Sequence, residues 1–195
     1  MRLLVATSNA HKLREIRGIL SGLDVELVGL DAFPAVPPPE ETGETFAENA
    51  RQKAIYYSKA CAILAVAEDS GLEIDALDGD PGVHSARFGG FVDDYARKFA
   101  IIYERLRARG GVGSPARFVC TLAVADGGRV VFETRGTVEG HIAPAPGGSG
   151  GFGYDPIFFY PPFGCTLAQV DEARKATVSH RGRAFGGLRE FLPTL

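Results

Sequence analysis

Glu68 and Asp69 are adjacent carboxylates placed directly after the apolar run Ile63-Leu64-Ala65-Val66-Ala67 and directly before Ser70-Gly71. Ionised groups resist leaving water, so a carboxylate pair at the mouth of a buried strand requires a cation or hydrogen-bond donors. A divalent metal would answer that requirement; an exposed acidic turn is the ordinary alternative. Neighbours in an extended chain point to opposite faces, so the two should not chelate one ion together. One is expected to face a cleft and the other a structural partner.

A second constellation is Thr7-Ser8-Asn9-Ala10-His11-Lys12. Small hydroxyl and amide residues between an apolar run and a helical pattern put unpaired backbone N–H groups and the positive end of a helix dipole at one place, with Lys12 adding a full charge. That suits a phosphate, and Ser8 or Asn9 can equally serve as a plain helix cap. The Gly-x-x-x-x-Gly-Lys spacing of a Walker loop is absent. Glu41 ends a proline-rich stretch and Lys53 stands one helical turn beyond Asn49, so both can reach a cleft or sit at the surface. Glu48 is explained by the capping box it forms with Thr45.

Near the C-terminus, the glycine-rich run ending in Phe152-Gly153-Tyr154-Asp155-Pro156 offers close backbone approach, an aromatic face for stacking and an acceptor for a ring N–H. A nucleobase pocket follows, against the alternative of a loop held by buried aromatics. Lys175 and Ser179-His180-Arg181-Gly182 place three potential cations near a helix start, where they repel one another unless an anion or a carbonyl-rich ligand lies between them. His11, His84 and His141 lack His-x-x-x-His spacing, which argues against zinc. No Gly-x-Ser-x-Gly elbow is present, which argues against a serine hydrolase.

Positioning these groups falls to elements that the hydrophobic pattern predicts. Residues 3–6 read as a strand, Leu13, Ile16 and Leu20 as a helical stripe, and residues 25–30 as a second strand. Prolines 34, 37, 38 and 39 make residues 33–41 a loop. A helix of about four turns follows the capping box to Cys61. Residues 63–67 read as a doubly buried strand that opens into a turn at the acidic pair, leaving that pair at a strand end. Residues 78–90 are turn-rich. Asp93 and Asp94 open a helix to about Arg107, with Tyr95, Phe99, Ile102, Tyr103 and Leu106 as its apolar stripe. Residues 116–125 and 129–139 flank Asp126-Gly127-Gly128 as an antiparallel hairpin, and a last helix runs from about Ser179 to Phe191. Strands and helices mixed in this order predict one α/β unit around a mixed sheet.

Composition agrees with a globular chain. Of 195 residues, 45% are hydrophobic and 23% charged, which excludes collagen-like, disordered and coiled-coil classes. A net charge of -3 gives no overall basic field for nucleic acid. Cys61, Cys120 and Cys165 lack Cys-x-x-Cys spacing, and with no membrane or export segment they suggest a reducing, cytoplasmic setting.

Thr7 to Lys12 (TSNAHK), Glu41 to Ala54 (ETGETFAENARQKA), Ala67 to Leu72 (AEDSGL), Gly150 to Phe158 (GGFGYDPIF) and Ser179 to Gly182 (SHRG) together resemble the RdgB/HAM1 family of inosine/xanthosine triphosphate pyrophosphatases, in that family's order and over nearly the whole chain. The resemblance implies a single domain over residues 1–195, with an elongated, bilobed α/β fold around a central mixed sheet, a substrate cleft between the lobes, and a homodimer. It implies Mg2+-dependent hydrolysis of nucleoside triphosphates bearing hypoxanthine or xanthine (ITP, dITP, XTP) to the monophosphate and pyrophosphate. By the same resemblance, the loop of Thr7, Ser8, Asn9, Ala10, His11 and Lys12 binds phosphates. Asp69 is proton acceptor and metal ligand, Glu41 a further metal carboxylate, and Lys53 a phosphate contact. Ser70, Phe152, Gly153, Tyr154, Asp155, Lys175, His180 and Arg181 match substrate-binding positions, the later ones around the base. Glu68 departs from an aspartate common in relatives.

Two other readings remain at this point. A Maf-like pyrophosphatase would share the phosphate half of such a site and prefer other modified or pyrimidine nucleotides. A non-catalytic nucleotide-binding module would keep the pocket without the chemistry, although carboxylates beside phosphates gain a pure binder little.

Overall fold

The computed structural model describes residues 1–111 and 113–195. Its strands form a seven-stranded sheet in the order β2-β1-β3-β4-β5-β6-β7, comprising β1 (Arg2–Val5), β2 (Glu26–Val28), β3 (Ala65–Ile74), β4 (Pro115–Asp126), β5 (Arg129–Ile142), β6 (Phe158–Tyr160) and β7 (Cys165–Thr166). β1 pairs in parallel with β2 and β3, whereas β6 pairs antiparallel with β5 and β7, so the sheet is mixed as the sequence predicts. Helices α1 (Ala10–Ile19), α2 (Phe46–Cys61), α3 (Tyr95–Ala108), α4 (Glu172–Ala176) and α5 (His180–Phe191) complete the α/β architecture. Among the described residues, no helix is long and apolar enough to cross a membrane, and the three cysteines are free.

The chain divides into two compact units. The first comprises Met1–Asp69, Cys120–Gly136 and His180–Leu195; the second comprises Ser70–Val119 and Thr137–Ser179.

In the first unit, strand alternation sorts side chains onto two differently built faces. Leu3, Val5, Val66, Leu122 and Val124 pack with Ile16 of α1, Leu20 just after it, and Phe185 and Leu188 of α5. The opposite face carries mostly small residues, Ala6, Ala65, Ala67, Ala123 and Ala125 beside Leu4, and these meet Ala50, Ala54 and Tyr57 of α2. Alanine against alanine brings α2 close to the sheet. Thr45 and Glu48 form the expected capping box at its start, and Ala62 ends it in a left-handed conformation. The hairpin also forms as expected: β4 and β5 are sheet neighbours, joined by Gly127 and Gly128 at φ 53° and 86°, and a two-residue turn joins antiparallel strands.

In the second unit, Ile102, Tyr103 and Leu106 of α3 pack with Leu72, Ile74, Ala116, Phe118, Val138, Ile142 and Phe158. Asp94 caps α3 by accepting from the Arg97 amide at 3.1 Å.

One expectation fails. β3 does not open into a turn at Glu68-Asp69 but continues through both to Ile74, so the acidic pair lies inside a strand. The pair stays in the ladder because each carboxylate finds buried partners of its own, described below.

Gly136 of β5 faces the first turn of α5. A Cβ there would strike the His180 carbonyl and the Ala184 backbone nitrogen, and backbone cannot yield as a flexible side chain can. Gly136→Ala is therefore expected to destabilise the protein by about 1–3 kcal/mol, as overpacking does. A urea midpoint equal to wild type would contradict this close approach.

Candidate active site

β1 ends at Val5 and the chain turns into α1 through Thr7, Ser8 and Asn9. Asn9 Oδ1 accepts from the amides of His11 (3.0 Å) and Lys12 (3.1 Å), and Thr7 Oγ1 accepts from the Asn9 amide (3.2 Å). The cap is thus Asn9, not Ser8. Ser8, Asn9, Ala10 and His11 are exposed, and the Lys12 ammonium lies 3.6 Å from Glu68 Oε1.

Asp69 points to the α2 face. Its carboxylate accepts from Asn49 Nδ2 at 2.9 Å and lies 3.5 Å from Lys53 Nζ, which also donates to Glu41 Oε1 at 2.7 Å. Asn49 and Lys53 are four residues apart on α2, so they share a helical face and reach the strand together. Asn49 Oδ1 in turn accepts from the Gly43 amide at 2.8 Å, tying the loop before α2 to the same point. Burial raises the Asp69 pKa above its ordinary value, against the opposing pull of Lys53 and Asn49. Burial alone would lower the Lys53 pKa, but attraction to Asp69 and Glu41 outweighs it and leaves the ammonium held charged.

Glu68 points to the other face, as alternation requires. Its carboxylate accepts from Arg181 Nε at 2.8 Å and Nη2 at 3.3 Å, and from the Cys120 thiol at 3.1 Å. Arg181 Nη1 donates to Glu15 Oε2 at 2.6 Å. Both side chains are enclosed, 2% exposed for Glu68 and 1% for Arg181. Burial pushes the Glu68 pKa up, but Arg181 and Lys12 more than offset it and hold the carboxyl well below the usual range.

The second unit carries the other constellation. Asp155 Oδ2 accepts from the Phe152 amide at 2.8 Å and from Lys175 Nζ at 2.6 Å. The Lys175 ammonium also lies 4.7 Å from the centroid of the Phe152 ring, within cation–π range. Tyr154 is buried and donates its hydroxyl to the Ser85 carbonyl at 2.8 Å, and Gly153 stands at φ +67°. Ser70 is half-buried in β3, and His180 is buried in the first turn of α5. Lys175 pairs with Asp155, and Arg181 pairs with Glu68 and Glu15.

Asn49 escaped the sequence reading, which took it as an ordinary helical residue. The available signal was a poor helix former inside a well-capped helix. Glu15 and Cys120, which complete the surroundings of Arg181 and Glu68, gave no local signal at all.

Among the described residues, no three His, Cys, Asp or Glu side chains converge in a metal-ligating group. Glu41 and Asp69 nevertheless approach a single ammonium, Lys53 Nζ, at 2.7 and 3.5 Å. Two carboxylates converging on one cationic point fit a magnesium-type ion, which takes one or two carboxylates and completes its shell with water and substrate phosphates.

A mixed α/β protein in which one ammonium, Lys53, bridges Asp69 of β3 and Glu41 of the loop before α2 is the class that fold and geometry define. The sequence profile of the Ham1 family matches residues 3–191, and the chain belongs to that family. It is 43% identical over 194 residues to a dITP/XTP pyrophosphatase of an Exiguobacterium species, covering 99% of this chain and 98% of that one. It is 46% identical over 192 residues to a dITP/XTP pyrophosphatase of Thermus thermophilus, covering 97% and 91%. A HAM1 protein of Coxiella burnetii superposes with a TM-score of 0.93 at 36% identity, covering 100% of both chains.

The Glu68 pKa is lowered in the folded protein, so its stabilisation is fully present above the unfolded value of about 4.3 and is lost as pH falls through the folded value. Glu68→Gln is expected to cost about 3–5 kcal/mol at neutral pH, because it breaks a buried ion pair and leaves Glu15 to balance the Arg181 charge. It should also flatten the acid limb of stability. Urea melts at several pH values check both, and a variant as stable as wild type with the same acid limb would contradict the assignment.

Proposed function

We propose that the protein hydrolyses nucleoside triphosphates bearing hypoxanthine or xanthine, ITP, dITP and XTP among them, to the monophosphate and pyrophosphate in the presence of Mg2+. The observation that carries this reading is the buried Asp69 carboxylate, oriented by Asn49, with its basicity raised by burial and a cation within reach. The dITP/XTP pyrophosphatase name of the relatives supports the substrate class.

Asp69 takes the proton of the water that attacks the α-phosphorus. A carboxylate with a raised pKa is the stronger base for that step. Lys12 and Lys53 hold the negative charge of the pyrophosphate as it departs, and the amides of the Thr7–Lys12 turn orient the phosphate tail. Glu41 and Asp69 would hold the Mg2+, which supplies charge neutralisation and polarisation of the phosphoryl oxygens. Phe152 stacks on the base, Lys175 supplies a donor to its 6-oxo group, and Ser70, Gly153, Tyr154, Asp155, His180 and Arg181 shape the remaining contacts. An adenine 6-amino group would set donor against donor, and a buried mismatch of that kind discriminates strongly. A homodimer working in the cytoplasm belongs to the same reading, with three free cysteines in favour of a reducing setting.

Pyrophosphate release from ITP, XTP, ATP, dUTP and dTTP, with and without Mg2+, tests the reading. Metal-dependent cleavage preferring ITP and XTP is expected, with a loss of about 10² to 10⁴ in Asp69→Asn, the range of a missing general base. Preference for dUTP or dTTP would favour the Maf-like alternative, and nucleotide binding without cleavage would leave a non-catalytic module.

A further inference from the structure

Lys98 carries a charge into the interior of the second unit that none of the chemistry above uses. It lies on α3 at 0% exposure. Its ammonium donates to three backbone carbonyls, Val92 at 2.7 Å, Ala86 at 2.8 Å and Ser85 at 3.3 Å. An ammonium has three donors, so every one is used. The rings of Tyr95 and Tyr154 lie 4.2 and 5.9 Å from the same nitrogen, adding attraction to their faces. Carbonyl oxygens and aromatic faces are what a dehydrated monovalent cation requires, and Lys98 is that cation on a tether.

The carbonyls belong to the segment between β3 and α3, and one of them is shared. Ser85 O accepts both from Lys98 and from the Tyr154 hydroxyl, the latter at 2.8 Å. Ser85 is also fixed from the sheet, its Oγ accepting from the Leu72 amide at 3.0 Å. Tyr95 packs edge-on against Tyr154, with ring centroids 5.4 Å apart and planes at 86°. Tyr154 in turn is a member of the four-residue turn that the Phe152 amide closes on the Asp155 carboxylate. Hydrogen bonds therefore run from the Lys98 ammonium through the Ser85 carbonyl to Tyr154, and the backbone of the closed 152–155 turn carries the constraint on to Phe152 and Asp155.

We infer that Lys98 is a positioning residue for base recognition: through the Ser85 carbonyl it fixes Tyr154, and with it the Phe152 ring and the Asp155 carboxylate, in the arrangement that selects the base. This rests on the base-reading role proposed above for residues 152–155. Without the ammonium, three buried carbonyls lose a charged donor and the segment repacks.

Lys98→Met keeps a stem and removes the charge. Lys98→Ala removes both and leaves room for propylammonium, which matches the atoms lost beyond Cβ. Wild type is assayed first, because failure to cleave ITP would refute the proposed function and not this inference. In Lys98→Met, KM for ITP is expected to rise about tenfold or more, with kcat within about threefold and the preference for ITP over ATP reduced by a similar factor, the scale of losing a charged hydrogen bond. In Lys98→Ala, propylammonium chloride should restore KM and preference, and tetramethylammonium chloride at equal ionic strength should not. Tyr154→Phe cuts the same link from the other side. Its effect on KM should be less than additive with that of Lys98→Met. If Lys98→Met does not fold, Lys98→Ala purified in propylammonium and exchanged into tetramethylammonium gives the same readout. Unchanged KM and preference, a fall in stability or kcat that propylammonium does not reverse, or full additivity with Tyr154→Phe would each overturn the inference.

Discussion

Two carboxylates stand side by side inside a buried strand, and the first unit is organised around what that demands. Because alternation sends Glu68 and Asp69 to opposite faces, each face of the sheet brings its own hydrogen-bonding partners, while Lys12 and Lys53 act on both carboxylates through space. Helix α5 supplies Arg181 and α1 supplies Lys12 for Glu68; α2 supplies Lys53 and Asn49 for Asp69. The helices are thus placed by apolar packing and also held to the strand by charge. An unpaired carboxylate at either position would cost more than most single contacts contribute.

The two environments push chemically similar groups in opposite directions. Glu68 faces a guanidinium with matched geometry and is held ionised, which suits a strut and not a base. Asp69 has one amide donor and a more distant ammonium, so burial prevails and its affinity for a proton rises. Pairs of titratable groups whose surroundings separate their pKa values mark the division between structural and reactive roles.

Much of this was legible in the sequence where the cause is local. The Thr45–Glu48 capping box, the Gly127-Gly128 turn, the alternating burial of residues 3–6 and the opposed directions of Glu68 and Asp69 all follow from backbone periodicity and turn chemistry. The continuation of β3 through the acidic pair did not, because it depends on Arg181, 113 residues away in sequence. For the same reason the carboxylate partners of Lys175 and Arg181 were not legible. They lie at positions 15, 68 and 155, and nothing near Lys175 or Arg181 announces them. Lys98 was hidden by its residue type, since a lysine within an amphipathic helix reads as solvent-facing until its carbonyl partners are seen.

The separation of the two carboxyl groups is open to direct measurement by carbon-detected NMR titration of the metal-free protein. Asp69 is expected to titrate above the ordinary aspartate midpoint of about 3.9 while Glu68 stays ionised well below the glutamate value of about 4.3, and Lys53→Met is expected to move the Asp69 midpoint further up by more than it moves that of Glu68. Both groups titrating together at ordinary values, or both responding equally to the loss of Lys53, would contradict that separation.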